Sequence, residues 1–531
     1  MPGPAPLSAR LKNVKLRDQK TQLGLASAVA AIVLILAFLS LPGSGNKTSA
    51  TTANSAGNTS QISNGGTQAN KPVATAGGTL GKSNGSVSAP GNVSSLSPSA
   101  IAKLPPLTAT TIKIGFTYLE DPNTANCAAG FCAIGNVDQK RAEDAMVKLI
   151  NANPPGGRKV IPVYYHQNTS QVESKGAQQI EQEACSYFTK DNPVFMVFDG
   201  ALIGSTDTFH SCATKAHIPE IGIAQADTSQ TFQQFPYFVA PSSAAFDRIA
   251  RVEVDQLYKQ GYFAGFKNNV PPEMPQKPVN GKPLIGLIRY DTQNHNIAAA
   301  AMKAELAKYG LSLCSGCEWQ ITYSATDPAQ ELGGESTQMN EDIAAAKAKG
   351  VTHMLFLGST AGVRITLFFV EGAEKQDYRP RLGFNPQDAP TAVRDLQASQ
   401  NDAYQQYIDS ILVDDSPGEF GTVTDAYNTC KKIFEAAGET FTGSQAANKE
   451  AQIPDYCDGA WYYIAAMKAV SGTLTPDSFM GGVANMKSVP SAGVYLMQTK
   501  SDRHDGSGAV RDGPWADSCK CFKPDTPAIP V

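Results

Sequence analysis

The chain has 531 residues, a formal net charge of −4 and only 17 % charged residues. It is too long for one ordinary domain and lacks the clustered basic surplus that nucleic-acid binding needs, so no nucleic-acid partner is expected. Hydrophobic residues make up 42 %, enough for large cores.

Residues 1–22 are polar and basic, with Arg10, Lys12, Lys15, Arg17 and Lys20, and are expected to stay in the cytoplasm. Residues 23–41, LGLASAVAAIVLILAFLSL, are uncharged and nearly all apolar, the length that crosses a hydrocarbon core of roughly 30 Å. A cleaved signal peptide is the rival, but its apolar region is usually only about 7–15 residues. The longer run favours an uncleaved single-pass anchor in the cell membrane, with the body outside the cytoplasm. Residues 42–109 are dominated by Ser, Thr, Gly, Asn, Ala and Pro. Such a segment buries too little apolar surface to offset its ordering entropy, and a disordered stalk is expected.

From about residue 110 strands and helices alternate. Strands are predicted at 111–119, 159–167, 194–200 and 217–224, with helices at 138–152, 172–188 and up to 214 between them. The pattern restarts with a helix at 246–260. Strands follow at 283–291, 318–324, 353–358 and 379–385, alternating with helices at 297–308, 337–349 and 363–373. Such alternation means βαβ units and parallel sheets covered on both faces. Two runs imply two doubly wound, Rossmann-like α/β lobes. Helices at 425–437 and 459–470, a short strand at 492–498 and an irregular tail complete the body.

All ten cysteines follow residue 126 and fall into local neighbours: Cys127 with Cys132, Cys185 with Cys212, Cys314 with Cys317, Cys430 with Cys457, and Cys519 with Cys521. An even count with local partners points to a disulfide framework in an oxidising compartment. Cys314-Ser-Gly-Cys317 also fits a redox pair or, with Cys519 and Cys521, a zinc site.

The order of elements, with TIKIGF (111–116), HIPEIGIAQADT (217–228), FPYFVAPSS (235–243), PLIGLIRYD (283–291) and RHDGSGAV (503–510), resembles the type I periplasmic binding proteins. These are solute receptors of ABC transporters, and the nearest branch binds branched-chain amino acids and amides. The resemblance implies two lobes joined by three crossovers, here near 238–242, 384–414 and 487–494. Residues 110–240 with 400–488 would form lobe 1, and 241–399 with 489–531 lobe 2. It also implies a ligand carboxylate held by Ser205, Ala226 and Thr228, with Thr206 beside them at the helix start. Across the cleft, His295 stands where the family has an aromatic residue. Asn385, followed by Gln387 and Asp388, stands where it has the acid that meets a ligand ammonium. Asp227 would repel an anion if it pointed inward. Tyr118 and Glu120 end the first strand and would face the same cleft, whereas Trp461, Tyr462 and Tyr463 are expected to pack.

The body carries no Gly-x-Ser-x-Gly elbow, phosphate cradle or His-x-x-x-His pair, and no catalysis, metal or cofactor is expected. The expected partners are a small polar solute and an ABC permease. A membrane-anchored sensor or surface module using the same fold without transport is the alternative.

Overall fold

The computed structural model describes residues 97–124, 135–200, 207–222, 226–264, 282–322, 328–358, 362–396, 405–443, 446–524 and 526–531. The apolar segment 23–41, the stalk up to residue 96 and the Cys127/Cys132 pair lie outside them. Among the described residues, no helix is long and apolar enough to cross a membrane.

The first sheet is wholly parallel, in the order β2-β1-β3-β4-β5. Its strands are β1 (Thr111–Leu119), β2 (Lys159–Gln167), β3 (Met196–Phe198), β4 (Glu220–Ile221) and β5 (Phe238–Val239). Every residue of β1 but Tyr118 is buried, the signature of a strand covered on both faces. On one face Ile112, Ile114 and Phe116 pack against Tyr462, Tyr463 and Ala466. These last belong to the late helix α12 (Ala446–Ala469). The packing role expected for Tyr462 and Tyr463 is met, and both are fully buried.

The helices between the strands are α1 (Gln139–Ala152), α2 (Thr169–Lys175), α3 (Ala177–Ser186), α4 (Asp207–Lys215) and α5 (Ser229–Gln234). Asp138 caps α1 by accepting a hydrogen bond from the Arg141 amide. The helix expected over 172–188 is two, because Gly176 between them has φ 74°, a conformation suited to glycine.

The second sheet runs β12-β11-β10-β9-β8-β6-β7. Its parallel part comprises β6 (Ile285–Tyr290), β7 (Leu313–Ile321), β8 (His353–Leu357), β9 (Arg381–Phe384) and β10 (Ile411–Asp414). Strands β11 (Ala509–Ala516), β12 (Cys521–Phe522) and β13 (Ile529–Pro530) add antiparallel pairings. Helices α6 (Phe246–Lys259), α7 (Gln293–Lys308), α8 (Pro328–Lys349), α9 (Gly362–Lys375) and α10 (Pro390–Leu396) belong with this sheet; α11 (Asp425–Ala436), α12 and α13 (Pro476–Asn485) return to the first.

Three boundaries differ from the sequence expectation. Residues 97–109 are not stalk: Leu107 bridges to Ile112, and Lys113 Nζ donates to the Leu104 carbonyl at 3.2 Å. Residues 411–414 belong to lobe 2, since β10 pairs with β9. Residues 489–497 stay with lobe 1, because Val494 and Met497 fill its core. The last crossing therefore falls near Ser507. The crossings are laced together. Ala240 N donates to His504 O, Gly506 N to Ala240 O, Ser507 N to Ser243 O, and Tyr495 N to Asp415 O, at 2.7–3.1 Å.

Candidate functional site

In both sheets the parallel strands end toward the crossings between lobes, where open α/β sheets place ligands. At the end of β1, Tyr118 stacks on His166, with centroids 5.1 Å apart and planes at 15°. His166 Nδ1 lies 2.8 Å from Glu120 Oε1, and both side chains are about half exposed. Burial, then Glu120 and the acids of α1, pushes the Tyr118 phenol up to about 12. The β1–β2 edge thus offers an aromatic face with a carboxylate beside it.

At the end of β3 the Gly200 amide donates to Thr117 Oγ1 at 2.8 Å. Ser205 and Thr206 lie outside the described residues. Beyond β4, Ala226 is half-buried and packs on the apolar cluster of lobe 2. Thr228 is fully buried and caps α5: its hydroxyl accepts from Thr231 N, and its amide donates to Thr231 Oγ1. Both groups are engaged within this turn. Asp227 is buried rather than turned to solvent, and its carbonyl accepts the Phe246 amide. Ser229 donates to Asp247 of α6 through its amide and hydroxyl, at 2.7 and 2.9 Å.

In lobe 2, His295 is in the core, 3 % exposed. Its ring meets Phe246 and Tyr290 edge-on, and Nδ1 lies 2.6 Å from Thr292 Oγ1. Burial, assisted by the Arg289 charge, pushes its pKa down to about 3 against a backbone contact with Gly358, so the imidazole is neutral. Asn385 and Asp388 are fully buried. Asn385 Nδ2 donates to Glu253 Oε2 at 2.9 Å, and its Oδ1 accepts from the Gln387 amide. The two Asp388 oxygens accept from the amides of Asn385 and Gly358, at 2.9 and 3.0 Å. Burial raises Asp388 to about 7, and burial together with Asp388 raises Glu253 well above the usual range. Asp388 braces its own loop through both oxygens and is fully buried, rather than turned outward to meet a ligand ammonium.

Sequence reasoning passed over a set of buried acids at the crossings. Asp458 of α12 accepts from Ser242 Oγ, Ser491 Oγ and the amides of Ala492 and Gly493. Asp505 accepts from the Ala245 amide and from the Arg248 guanidinium. Asp414 and Asp415 end β10, buried beside Glu419. Two successive acids closing the apolar run Ile411–Val413 were the available signal. Among the described residues, no group of His, Cys, Asp and Glu is placed to hold a metal ion, so nothing there assembles the zinc site considered from Cys314, Cys317, Cys519 and Cys521. The expected bridges Cys185–Cys212, Cys314–Cys317, Cys430–Cys457 and Cys519–Cys521 are all formed.

No protein-family model matches the sequence, and no curated protein matches it. Solved structures do match. The solute-binding protein of an ABC transporter from Rhodopseudomonas palustris HaA2, in complex with p-hydroxybenzoic acid, is 12 % identical, with 79 % of this chain and 97 % of that chain covered and a TM-score of 0.54. The ABC transporter substrate-binding protein from Desulfitobacterium hafniense, in complex with Leu, is 13 % identical, covering 78 % and 99 %, with a TM-score of 0.50. A leucine-binding protein from Thermotoga maritima MSB8 is 10 % identical, covering 79 % and 99 %, with a TM-score of 0.51. These neighbours are solute-binding proteins rather than enzymes, and the chain shares with them the two-lobed α/β fold of the type I periplasmic binding proteins.

Proposed function

We propose that the protein is an extracytoplasmic solute-binding protein. It captures a small polar molecule between its lobes for delivery to an ABC permease, held at the membrane by the apolar segment 23–41. The observation that carries this is the three-stranded hinge. Two parallel sheets direct their carboxyl ends toward crossings joined by hydrogen bonds, a layout suited to closure over a ligand. The fold neighbours and the formed disulfides, which fit an oxidising compartment, support the same conclusion.

The ligand contacts differ from those of an amino-acid binder. Asn385 replaces the acid, Asp388 is engaged with backbone amides, and Thr228 is committed to its helix cap. These features favour an amide-like or aromatic solute, presented to Tyr118, over an α-amino acid. A thermal-shift panel of leucine, acetamide, urea and 4-hydroxybenzoate tests it. A ligand at a hundred times its Kd stabilises the folded state by about 2.7 kcal/mol, and acetamide or 4-hydroxybenzoate is expected to raise Tm. Leucine as the best ligand would overturn the solute preference, and no shift with any member would remove the capture function. Retention of an ABC permease on the membrane-extracted full chain separates transport from sensing.

A further inference from the structure

The Cys314-Ser-Gly-Cys317 segment lies on β7, the edge strand of the second sheet. Leu313 pairs with Ile285, whereas Glu318 pairs with Leu287. Five steps along β7 thus match two along β6, and the intervening residues leave the ladder as a wide bulge. Gly316, at φ 65°, makes the reversal, and the Cys314–Cys317 bridge closes the base of the loop. The two sulfur residues are unequal. Cys317 is 1 % exposed and part of the lobe's core, while Cys314 is half-buried and Ser315 and Gly316 are exposed. Lys349, the last residue of α8, reaches over the loop and donates to the Ser315 carbonyl at 3.0 Å.

The bridges Cys185–Cys212 and Cys430–Cys457 each span 27 residues and join successive helices. Cys314–Cys317 spans three. In the chain-entropy account so short a loop constrains the unfolded state little, so stability is a weak reason for it. The pair combines a partly exposed leading cysteine, a buried second cysteine and a cation over the loop, features that favour thiol–disulfide exchange.

We propose that Cys314–Cys317 is a redox-active disulfide that exchanges with external thiols, a dithiol oxidoreductase being the class of partner that would turn it over. The partner's thiolate attacks Cys314 Sγ, and a mixed disulfide forms as the Cys314–Cys317 bond breaks. The electron pair of that bond stays on Cys317 Sγ, which takes a proton. The partner's second thiolate then attacks the mixed disulfide and releases Cys314 as a thiolate, one residue from the Ser315 carbonyl that Lys349 holds; the thiolate takes a proton in turn. The bridge has gained two electrons and two protons, and the partner leaves as a disulfide.

Graded dithiothreitol treatment of the full chain, with iodoacetamide trapping and peptide mass spectrometry, tests this. Cys314 and Cys317 are expected to be alkylated while the other described bridges stay closed and far-ultraviolet circular dichroism is unchanged. In Cys317→Ser, Cys314 is expected to take a glutathione adduct from oxidised glutathione. Loss of a neighbouring cation that lowers a thiol pKa by one unit removes about tenfold of the thiolate, partly offset by greater nucleophilicity, a net slowing of about threefold. Lys349→Met should show that slowing, and Lys349→Arg should restore the rate. The proposal is overturned if Cys314–Cys317 opens only when the helix-joining bridges do, if Cys519–Cys521 opens first, or if Lys349→Met leaves the rate unchanged. Should Cys317→Ser not fold, partial reduction of the unaltered chain decides.

Discussion

His210 and Glu220 form a buried ion pair beneath α4. The imidazole lies face to face with Phe238, centroids 4.1 Å apart, and Nδ1 is 3.0 Å from Glu220 Oε2. Burial alone would push the pKa down. Glu220's charge and hydrogen bond, with Asp227 and Glu181 behind, hold it up at about 9. The folded value exceeds the unfolded value of about 6.5, so this stabilisation is complete below pH 6.5 and drains away as pH rises through 9. The urea midpoint is expected to fall between pH 7 and 9. Glu220→Gln should abolish that slope and cost about 3 kcal/mol, because the buried imidazole loses the charge that keeps it protonated. A midpoint that is flat across this range in the unaltered protein would refute the pairing's role. Gly200 is a second sensitive position: a Cβ there would lie 2.0 Å from the Thr117 carbonyl oxygen. Gly200→Ala is expected to cost about 1–3 kcal/mol, read as a lowered Tm.

At the scale of elements, β1 and β2 were legible to the residue, because short runs rich in β-branched and aromatic residues, bounded by turn signals, leave a strand as the simplest solution. Strand β11 was not. Its sequence, AVRDGPWA, contains Gly513, Pro514 and two charges, and it is pairing with β10, β12 and β13 that makes it a strand. Periodicity located both lobes and the loops at their strand ends. It could not show that Asn385 would reach Glu253, 132 residues away, or that His295 would turn into the core, because those partners come from other elements. The loop after β9 gives a direct test. Asp388→Ala leaves the buried amides of Asn385 and Gly358 without acceptors, at about 1–3 kcal/mol each. A drop in Tm of that order is expected, and an unchanged Tm would show that Asp388 braces nothing.

Over the whole molecule, the hinge is held by acids inside the protein rather than by surface contacts. Asp505 receives the Ala245 amide and the Arg248 guanidinium, joining the first and third crossings. Asp505→Ala is expected to destabilise the protein by about 3–5 kcal/mol and to enlarge the ligand-free radius of gyration in solution scattering. A loss of stability without any change in dimensions would assign it to folding alone. Gly506 makes a related demand, since a Cβ there would lie 2.1 Å from the Pro241 carbonyl oxygen.

The interleaving of the lobes also has a consequence for biosynthesis. The core around Ile112, Ile114 and Phe116 is completed by Tyr462, Tyr463, Phe479 and Met497, more than 340 residues further along the chain. A ribosome making about 5–20 residues per second needs on the order of half a minute to supply them. During that interval one face of the first sheet is covered only in part, by Met146 and Ile150 of α1, and the second lobe's parallel strands emerge while the first waits. Emergence of Tyr462 to Met497, rather than of the first lobe's own strands, sets when this protein can finish folding, and the nascent chain is a natural client for chaperones that shield apolar surface.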